Sequence, residues 1–472
     1  MPAWPGCRGC SEGMARLLLL AVSGWGVGCV APLQPRKEAW FEVRIDPGEV
    51  YQWKDKYLFP NVRTYYSQPL VLVQGQGARV RDAGGREYLD FFGGILTVSV
   101  GHAHPRVTEA VCRQVREIMH TSTCYLNEPM LKLARRLAEI TPGRLQKCFF
   151  TNSGTEAIET AIMAARLYTG RQEVIALRHS YHGRSQLAAT LTGNATWRTA
   201  GPLPGVVHAH NAYCYRCAFG LSYPGCDVAC AQDIEELIRT TTTGEVAAFI
   251  AEPIQGVGGF ITPPPEYFRV AVEIVRRHGG VFICDEVQTG FGRTGKYMFG
   301  IEHWGVEPDV MVFAKGLANG APIGATIAVP EVADACTNYS ISTFGGNPVS
   351  MMAALATLEV LVDEAVPEHV DRVGRLLFEG LQKLAEQYRF IGEVRGKGLM
   401  IGVELVGEDR SPAPDLTNRF MECAREEGVL VGKGGLYGNV LRIAPPMTVG
   451  EHEVAEAVDR LGRVCRRLAA SA

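Results

Sequence analysis

Apolar residues along this chain keep two different rhythms. Between Tyr51 and Leu96, short runs such as Leu70-Val-Leu-Val73, Ala78-Arg-Val-Arg-Asp82 and Tyr88-Leu-Asp-Phe-Phe92 are separated by Gly75, Gly77, Gly84 and Gly85. Strand-like runs broken by turn residues predict a meander. From about Gly101 helical and strand patterns interleave, which predicts an α/β domain with a mostly parallel sheet. The clearest helix follows Thr151-Asn-Ser-Gly-Thr155: Ala157, Ile158, Ala161, Ile162, Ala165 and Leu167 recur at helical spacing, and Gly170 marks its stop. Three buried-strand runs follow, Val246-Ala-Ala-Phe-Ile-Ala251, Val281-Phe-Ile-Cys284 and Val310-Met-Val-Phe-Ala314. Each ends on one ionisable residue, Glu252, Asp285 or Lys315, at intervals of 33 and 30 residues. Those intervals suit βαβ units, and a helix over 265–278 closed by Gly279 and Gly280 fills the first. Ligands of a doubly wound sheet sit beyond the carboxyl ends of its strands, so the three residues are expected to share one crevice. After Asn347 the pattern turns to long amphipathic helices, 347–364 and 368–389, then a strand-like Gly398-Leu-Met-Ile-Gly-Val-Glu404 and further helices. This predicts a second, smaller α+β domain.

Composition narrows the field. The 472 residues are 47% hydrophobic and 21% charged, an ordinary globular balance that excludes a disordered or collagen-like chain. Lys and Arg number 47 against 50 Asp and Glu, so no basic excess exists to hold nucleic acid or an anionic membrane. A small-molecule enzyme is expected. The 14 cysteines run from Cys7 to Cys465, several inside apolar strands, as reduced core residues do. Arg8 and Arg16 precede an apolar stretch over 17–31 that is too short and too Gly-broken for a membrane span. A secretory signal, a transit peptide and a misassigned start all fit it. The cytosolic character of the body makes the cytoplasm the expected location, with an organelle or export as the alternative. The expected organisation is an extension over 1–45, a segment over 46–100 packing with the small domain, a large domain over 101–345 and a small one over 346–472.

A lysine that ends an apolar strand is costly unless it snorkels or works. The working reading of Lys315, followed by Gly316, is a Schiff-base lysine with a depressed pKa. Asp285, one strand away, suits the carboxylate that keeps a pyridinium nitrogen protonated, although alone it also suits a metal ligand or a structural hydrogen-bonder. Ser153-Gly154-Thr155 opens a helix and suits either a phosphate or a plain N-cap. No Gly-x-x-x-x-Gly-Lys-Ser/Thr loop is present, and no Gly-x-Gly-x-x-Gly closes a first strand, which weighs against nucleotide binding.

Two stretches carry a resemblance: Ile283-Cys-Asp-Glu-Val-Gln-Thr-Gly-Phe-Gly-Arg-Thr-Gly295 and Asp309-Val-Met-Val-Phe-Ala-Lys-Gly-Leu-Ala-Asn-Gly320. They resemble the signature of class III pyridoxal-phosphate aminotransferases, and the likeness runs from about Tyr51 to the C-terminus. Gly94-Ile-Leu-Thr-Val-Ser-Val-Gly-His-Ala-His-Pro105, Ala251-Glu-Pro-Ile-Gln-Gly-Val257 and Val394-Arg-Gly-Lys-Gly-Leu-Met-Ile-Gly402 are most similar to the second alanine–glyoxylate kind. The resemblance implies a fold-type I transferase with pyridoxal 5'-phosphate as cofactor. It implies that Lys315 bonds the cofactor and shuttles the proton, that Asp285 meets the pyridine nitrogen and that Gln288 reaches the ring hydroxyl. Gly154 and Thr155, with Ser153, match the phosphate cup, and Tyr181 the ring stacked on the cofactor. Thr343 matches a residue that reaches the other subunit's phosphate, which implies a homodimer with shared sites or a dimer of dimers. Arg442 matches the arginine that grips a substrate carboxylate. Ornithine- and γ-aminobutyrate-type members carry a masking glutamate where this chain has Val257, and ornithine-type members carry a tyrosine where it has Ile95. Both departures imply a small α-amino acid such as alanine as donor, glyoxylate or pyruvate as acceptor, and ping-pong kinetics. An ω-amino acid or 4-aminobutyrate aminotransferase is the alternative, and an aminomutase or decarboxylating transaminase a further one. Glu252 is expected to position Asp285 or substrate.

Cys214, Cys217, Cys226 and Cys230 have near zinc-ribbon spacing in a loop with His208 and His210. Zinc, a disulfide and free thiols are all open for this loop, and no metal is assigned to the active site. His102 and His104 are expected in a structural turn beside that site.

Overall fold

The computed structural model describes residues 46, 48–68, 70–198 and 201–470; the apolar leader lies outside them. The chain divides into two units, 1–59 and 60–472. Of the first, the helix Val50–Tyr57 is described. The second begins with the predicted meander, Leu72–Gln76 (β1), Arg79–Asp82 (β2) and Glu87–Asp90 (β3), paired antiparallel.

Seven strands then build the main sheet: Lys147–Thr151 (β4), Val174–Leu177 (β5), Val206–Ala209 (β6), Ala248–Ala251 (β7), Val281–Asp285 (β8), Val310–Phe313 (β9) and Gly324–Ala328 (β10). Their order is β4-β10-β9-β8-β7-β5-β6. Every residue of β7, β8 and β9 is buried, which is why these runs are continuously apolar rather than alternating. Neighbours in the run β9-β8-β7-β5-β6 pair parallel, whereas β10 pairs antiparallel with both β4 and β9. The helix after β4 spans Gly154–Thr169, with Ser153 as its cap and Gly170 in the left-handed region at φ 70°. It thus begins at Gly154, so that Gly154 and Thr155 are its first turn. The helix between β7 and β8 spans Tyr267–Arg277.

Beyond the helices Pro348–Asp363 and Val366–Gln387 lies a second antiparallel sheet. It comprises Ile391–Lys397 (β11), Met400–Leu405 (β12), Gly432–Gly434 (β14) and Val440–Ile443 (β15), in the order β11-β12-β15-β14. The short Val429–Leu430 (β13) instead pairs parallel with β3, joining the meander to the C-terminal region. Among the described residues no helix is long and apolar enough to cross a membrane.

Candidate active site

Three parallel neighbours bring the ionisable residues together. Glu252 follows β7, Asp285 ends β8 and Lys315 stands two residues past β9. All three line one cavity of about 330 Å³, together with Ser153, Gly154, Thr155, Tyr181 and Gln288. Eight of the expected site residues, drawn from five places in the sequence, therefore share a single crevice at the strand ends.

Lys315 opens a short 3₁₀ turn, Lys315–Ala318, with its backbone at φ 29°. Gly316 beside it leaves room for Ser99, whose Oγ a Cβ there would meet at 2.4 Å and displace. Burial disfavours the ammonium form and brings the lysine down to about 8 from its ordinary 10.5, against the opposing pull of Asp285. The Asp285 carboxylate is fixed from two sides. Val287 N–H donates to Oδ1 at 3.1 Å, and His182 Nδ1 lies 2.7 Å from Oδ2. His182 is 3% exposed, and its Nε2 has no partner. Sequence reasoning assigned it no role, although it adjoins Tyr181 in the quoted Ser180-Tyr-His-Gly-Arg184; its only signal was that adjacency.

Glu252 accepts from Tyr181 N–H at 2.9 Å and from Gly256 N–H at 2.8 Å. Burial pushes its carboxyl up to about 7, partly offset by His182. Glu252 thus ties the backbone of Tyr181 to the loop after β7. The Tyr181 ring meets Trp197 edge-on at 5.4 Å. At the helix start, Ser153 Oγ accepts from Glu156 N–H at 3.4 Å and donates to its carboxylate, so the cap alternative holds for Ser153. Thr155 Oγ1 accepts from Arg184 and Ser185 N–H at 3.2 and 3.0 Å.

Arg442 lies on β15 and reaches the cavity through Gln288. Its Nη2 donates to Gln288 Oε1 at 2.7 Å. The guanidinium sits between the rings of Phe92 and Phe260, 5.1 and 5.0 Å from their centroids. Ile95 and Thr343 are exposed and are not among the residues lining the cavity. Ile95 belongs to a turn in which Gly93, Gly94, Ile95 and Leu96 all have positive φ. Asp90 Oδ1 accepts from Phe92 and Gly93 N–H, and Asp90 Oδ2 lies 2.8 Å from His102 Nε2. His102 therefore braces the turn beside the site.

The four loop cysteines line a separate pocket of about 20 Å³ and are free thiols. Among the described residues no group of three or more His, Cys, Asp or Glu is arranged to hold a metal.

A sequence model of the family "Aminotransferase class-III" matches residues 62–465. The chain belongs to the class III aminotransferases. This class III aminotransferase is a pyridoxal-phosphate-dependent transaminase of fold-type I. It is 43% identical over 412 residues to the Arabidopsis thaliana protein named alanine–glyoxylate aminotransferase 2 homolog 2, mitochondrial, covering 86% of this chain and 85% of that one. It is 39% identical to the acetylornithine aminotransferase of Methanothermobacter thermautotrophicus, covering 89% and 99%. Its structure is similar to that of an amine transaminase from an uncultivated Pseudomonas species in its PLP-bound form. The TM-score is 0.81 at 33% identity, covering 87% and 98%.

Proposed function

We propose that this aminotransferase moves the amino group of a small α-amino acid, alanine or a close analogue, to glyoxylate or pyruvate. The observation that carries the reading is Arg442: a buried guanidinium that faces an amide rather than a carboxylate and so stands ready for a substrate carboxylate. The alanine–glyoxylate relative supports the same donor and acceptor.

The residues suit the cofactor. The 330 Å³ cavity falls in the range of small-ligand sites. A partly desolvated amine, a braced carboxylate, an aromatic ring and a helix N-terminus are the donors that an aldehyde, a pyridine nitrogen, a flat ring and a phosphate require. Pyridoxal phosphate, when bound, supplies a carbonyl for the amino group and a conjugated ring to take up electrons. Lys315 Nζ, its pKa lowered by burial, would take the proton from the substrate Cα and hold it for return. Asp285, kept in place by His182 and the Val287 N–H, would hold a proton at the ring nitrogen. Tyr181 and Gln288 would hold the ring, and the first N–H groups of the Gly154–Thr169 helix would hold the phosphate. Glu252 fixes the backbone that carries Tyr181.

Thr343 completes the site of a second copy in a homodimer with shared sites. Exposed Met119, Tyr125, Leu126, Tyr339, Ile341 and Phe344 on adjoining segments support such an interface. The division into a large domain over 101–345 and a small one over 346–472, with 46–100 serving the small domain, belongs to the same proposal; the β3–β13 pair supports its last clause. The free thiols support a reducing compartment, and the cytoplasm is the one proposed; import into an organelle on cell fractionation would overturn that.

The visible spectrum of the purified holoenzyme tests the central claim. Adding L-alanine is expected to bleach the cofactor band with release of pyruvate. A band unchanged by alanine but bleached by amines without an α-carboxylate would move the assignment to ω-amine transfer, the second reading, which the amine transaminase likeness favours.

A further inference from the structure

We infer that Gln288 is the resting partner of Arg442, and that this uncharged pairing sets the preference for amines bearing an α-carboxylate. The inference rests on the transaminase reading above and adds to it the residue that gates the carboxylate subsite.

Arg442 is 2% exposed, and its hydrogen bond goes to an amide, the Glu252 carboxylate acting on it only at a distance. Its Nε has no partner, and its Nη2 is bonded to Gln288 Oε1. Burial accordingly lowers its pKa from the ordinary arginine value. The rings of Phe92 and Phe260 lie 5.1 and 5.0 Å from the guanidinium carbon, so two aromatic faces take up part of its surroundings. In the loop after β7, Val257 is buried and its carbonyl accepts from Gly435 N–H at 2.9 Å, while Glu252 acts on Arg442 only at a distance.

Gln288 is itself held. Its side chain packs so closely on Gly256 that a Cβ there would lie 2.3 Å from Nε2. With Oε1 committed to Arg442, Nε2 is the end left to donate into the cavity that Gln288 lines. One amide thus spans the carboxylate subsite and the cofactor pocket. A hydrogen bond between guanidinium and neutral amide is weaker than one to a carboxylate. An incoming α-carboxylate therefore displaces Oε1 with a net gain. A glutamate in the same place would have to be expelled as an anion at each half-reaction.

The test compares L-alanine with isopropylamine, which differs from it by a methyl in place of the carboxylate. Rates of cofactor bleaching are measured on purified holoenzyme for the wild type, Gln288→Glu and Gln288→Leu. In Gln288→Glu, KM for alanine is expected to rise about tenfold relative to KM for isopropylamine, because a buried ion pair must now be broken. The ratio of kcat/KM for alanine to that for isopropylamine should fall by about the same factor. In Gln288→Leu, which removes the resting partner without adding charge, the ratio should stay level or rise. Equal losses on both amines in Gln288→Glu would overturn the gate and leave Gln288 serving the cofactor alone. A ratio that falls in Gln288→Leu would overturn it as well, even if Gln288→Glu could not be folded. Wild-type holoenzyme that responds to isopropylamine and not to alanine would instead overturn the alanine reading itself.

Discussion

Two buried clusters of charge in this protein are built on opposite principles. In one, Glu404 is fully buried and accepts from Tyr213 O–H, Arg216 Nε at 2.5 Å, Arg395 Nη1 at 2.6 Å and Asn439 Nδ2 at 3.2 Å. Arg395 in turn donates from Nε to Gly259 O at 2.9 Å and lies over the Tyr213 ring. Burial raises the Glu404 carboxyl, but Arg395 and the surrounding donors more than reverse this and hold it below its ordinary value. In the other cluster Arg442 has one amide and a bare Nε, His182 has a bare Nε2, and burial leaves Lys315 with a lowered pKa. The first cluster is saturated and joins the segment after β6 to β11 and β12. The second is starved: Arg442 Nε and His182 Nε2 are buried without a partner. A buried charge with all its hydrogen bonds made is architecture; one left short points to a ligand.

The largest effect that bears on this contrast is expected at Lys315. Lys315→Ala should cut turnover by at least about 10⁴-fold, the upper end of what a positioned acid–base group contributes, while thermal stability holds or rises. Turnover at the wild-type rate would remove Lys315 from the chemistry. Next comes Glu404→Ala, which takes the fully buried carboxylate from Arg395 and Arg216 and should cost about 3–5 kcal/mol in equilibrium denaturation. A loss below about 1 kcal/mol would mean that the saturated cluster is not structural after all. Arg442→Leu should behave in the opposite way. It removes an uncompensated buried cation, so stability should change by no more than about 1 kcal/mol. KM for alanine should nevertheless rise roughly 10- to 150-fold, the worth of about 1.5–3 kcal/mol in hydrogen bonds to a charged group. If Arg442→Leu were as destabilising as Glu404→Ala, the contrast would collapse. The smallest effect is one of pH. The neutral Lys315 amine is the reactive form and prevails only above its value of about 8. Uptake of pyridoxal phosphate by apoprotein should therefore accelerate about tenfold per unit below pH 8 and level off above it. A rate flat from pH 6 to 9 would contradict the lowered value.

The starved cluster was the more legible of the two in the sequence. Glu252, Asp285 and Lys315 each close a continuous apolar strand, and a single ionisable residue at that position stands out against its neighbours. The saturated cluster left no such mark, because Tyr213 and Arg216 meet Glu404 across 191 and 188 residues and each looks like an ordinary polar residue in its own stretch. His182 was overlooked for the same reason, since its partner Asp285 is 103 residues away. Arg442 became visible only through the family resemblance, and its flanking rings not at all. Likewise, nothing in the run Gly324–Ala328 announces a strand that turns antiparallel between β4 and β9, since direction is set by the route of the connecting chain.

The turn at Gly93–Leu96 has a further bearing on how this protein could change over time. Its four left-handed residues are held by backbone contacts and by the Asp90 carboxylate, none of which uses the side chain of Ile95. That side chain is 44% exposed, two positions from Thr97 at the rim of the cavity. Gly93, whose Cβ would lie 3.2 Å from Ala444 O, is locked, whereas position 95 stands on a fixed pedestal and can vary at little cost to folding. Single substitutions there therefore leave the Asp90-held turn and the residues lining the cavity as they are.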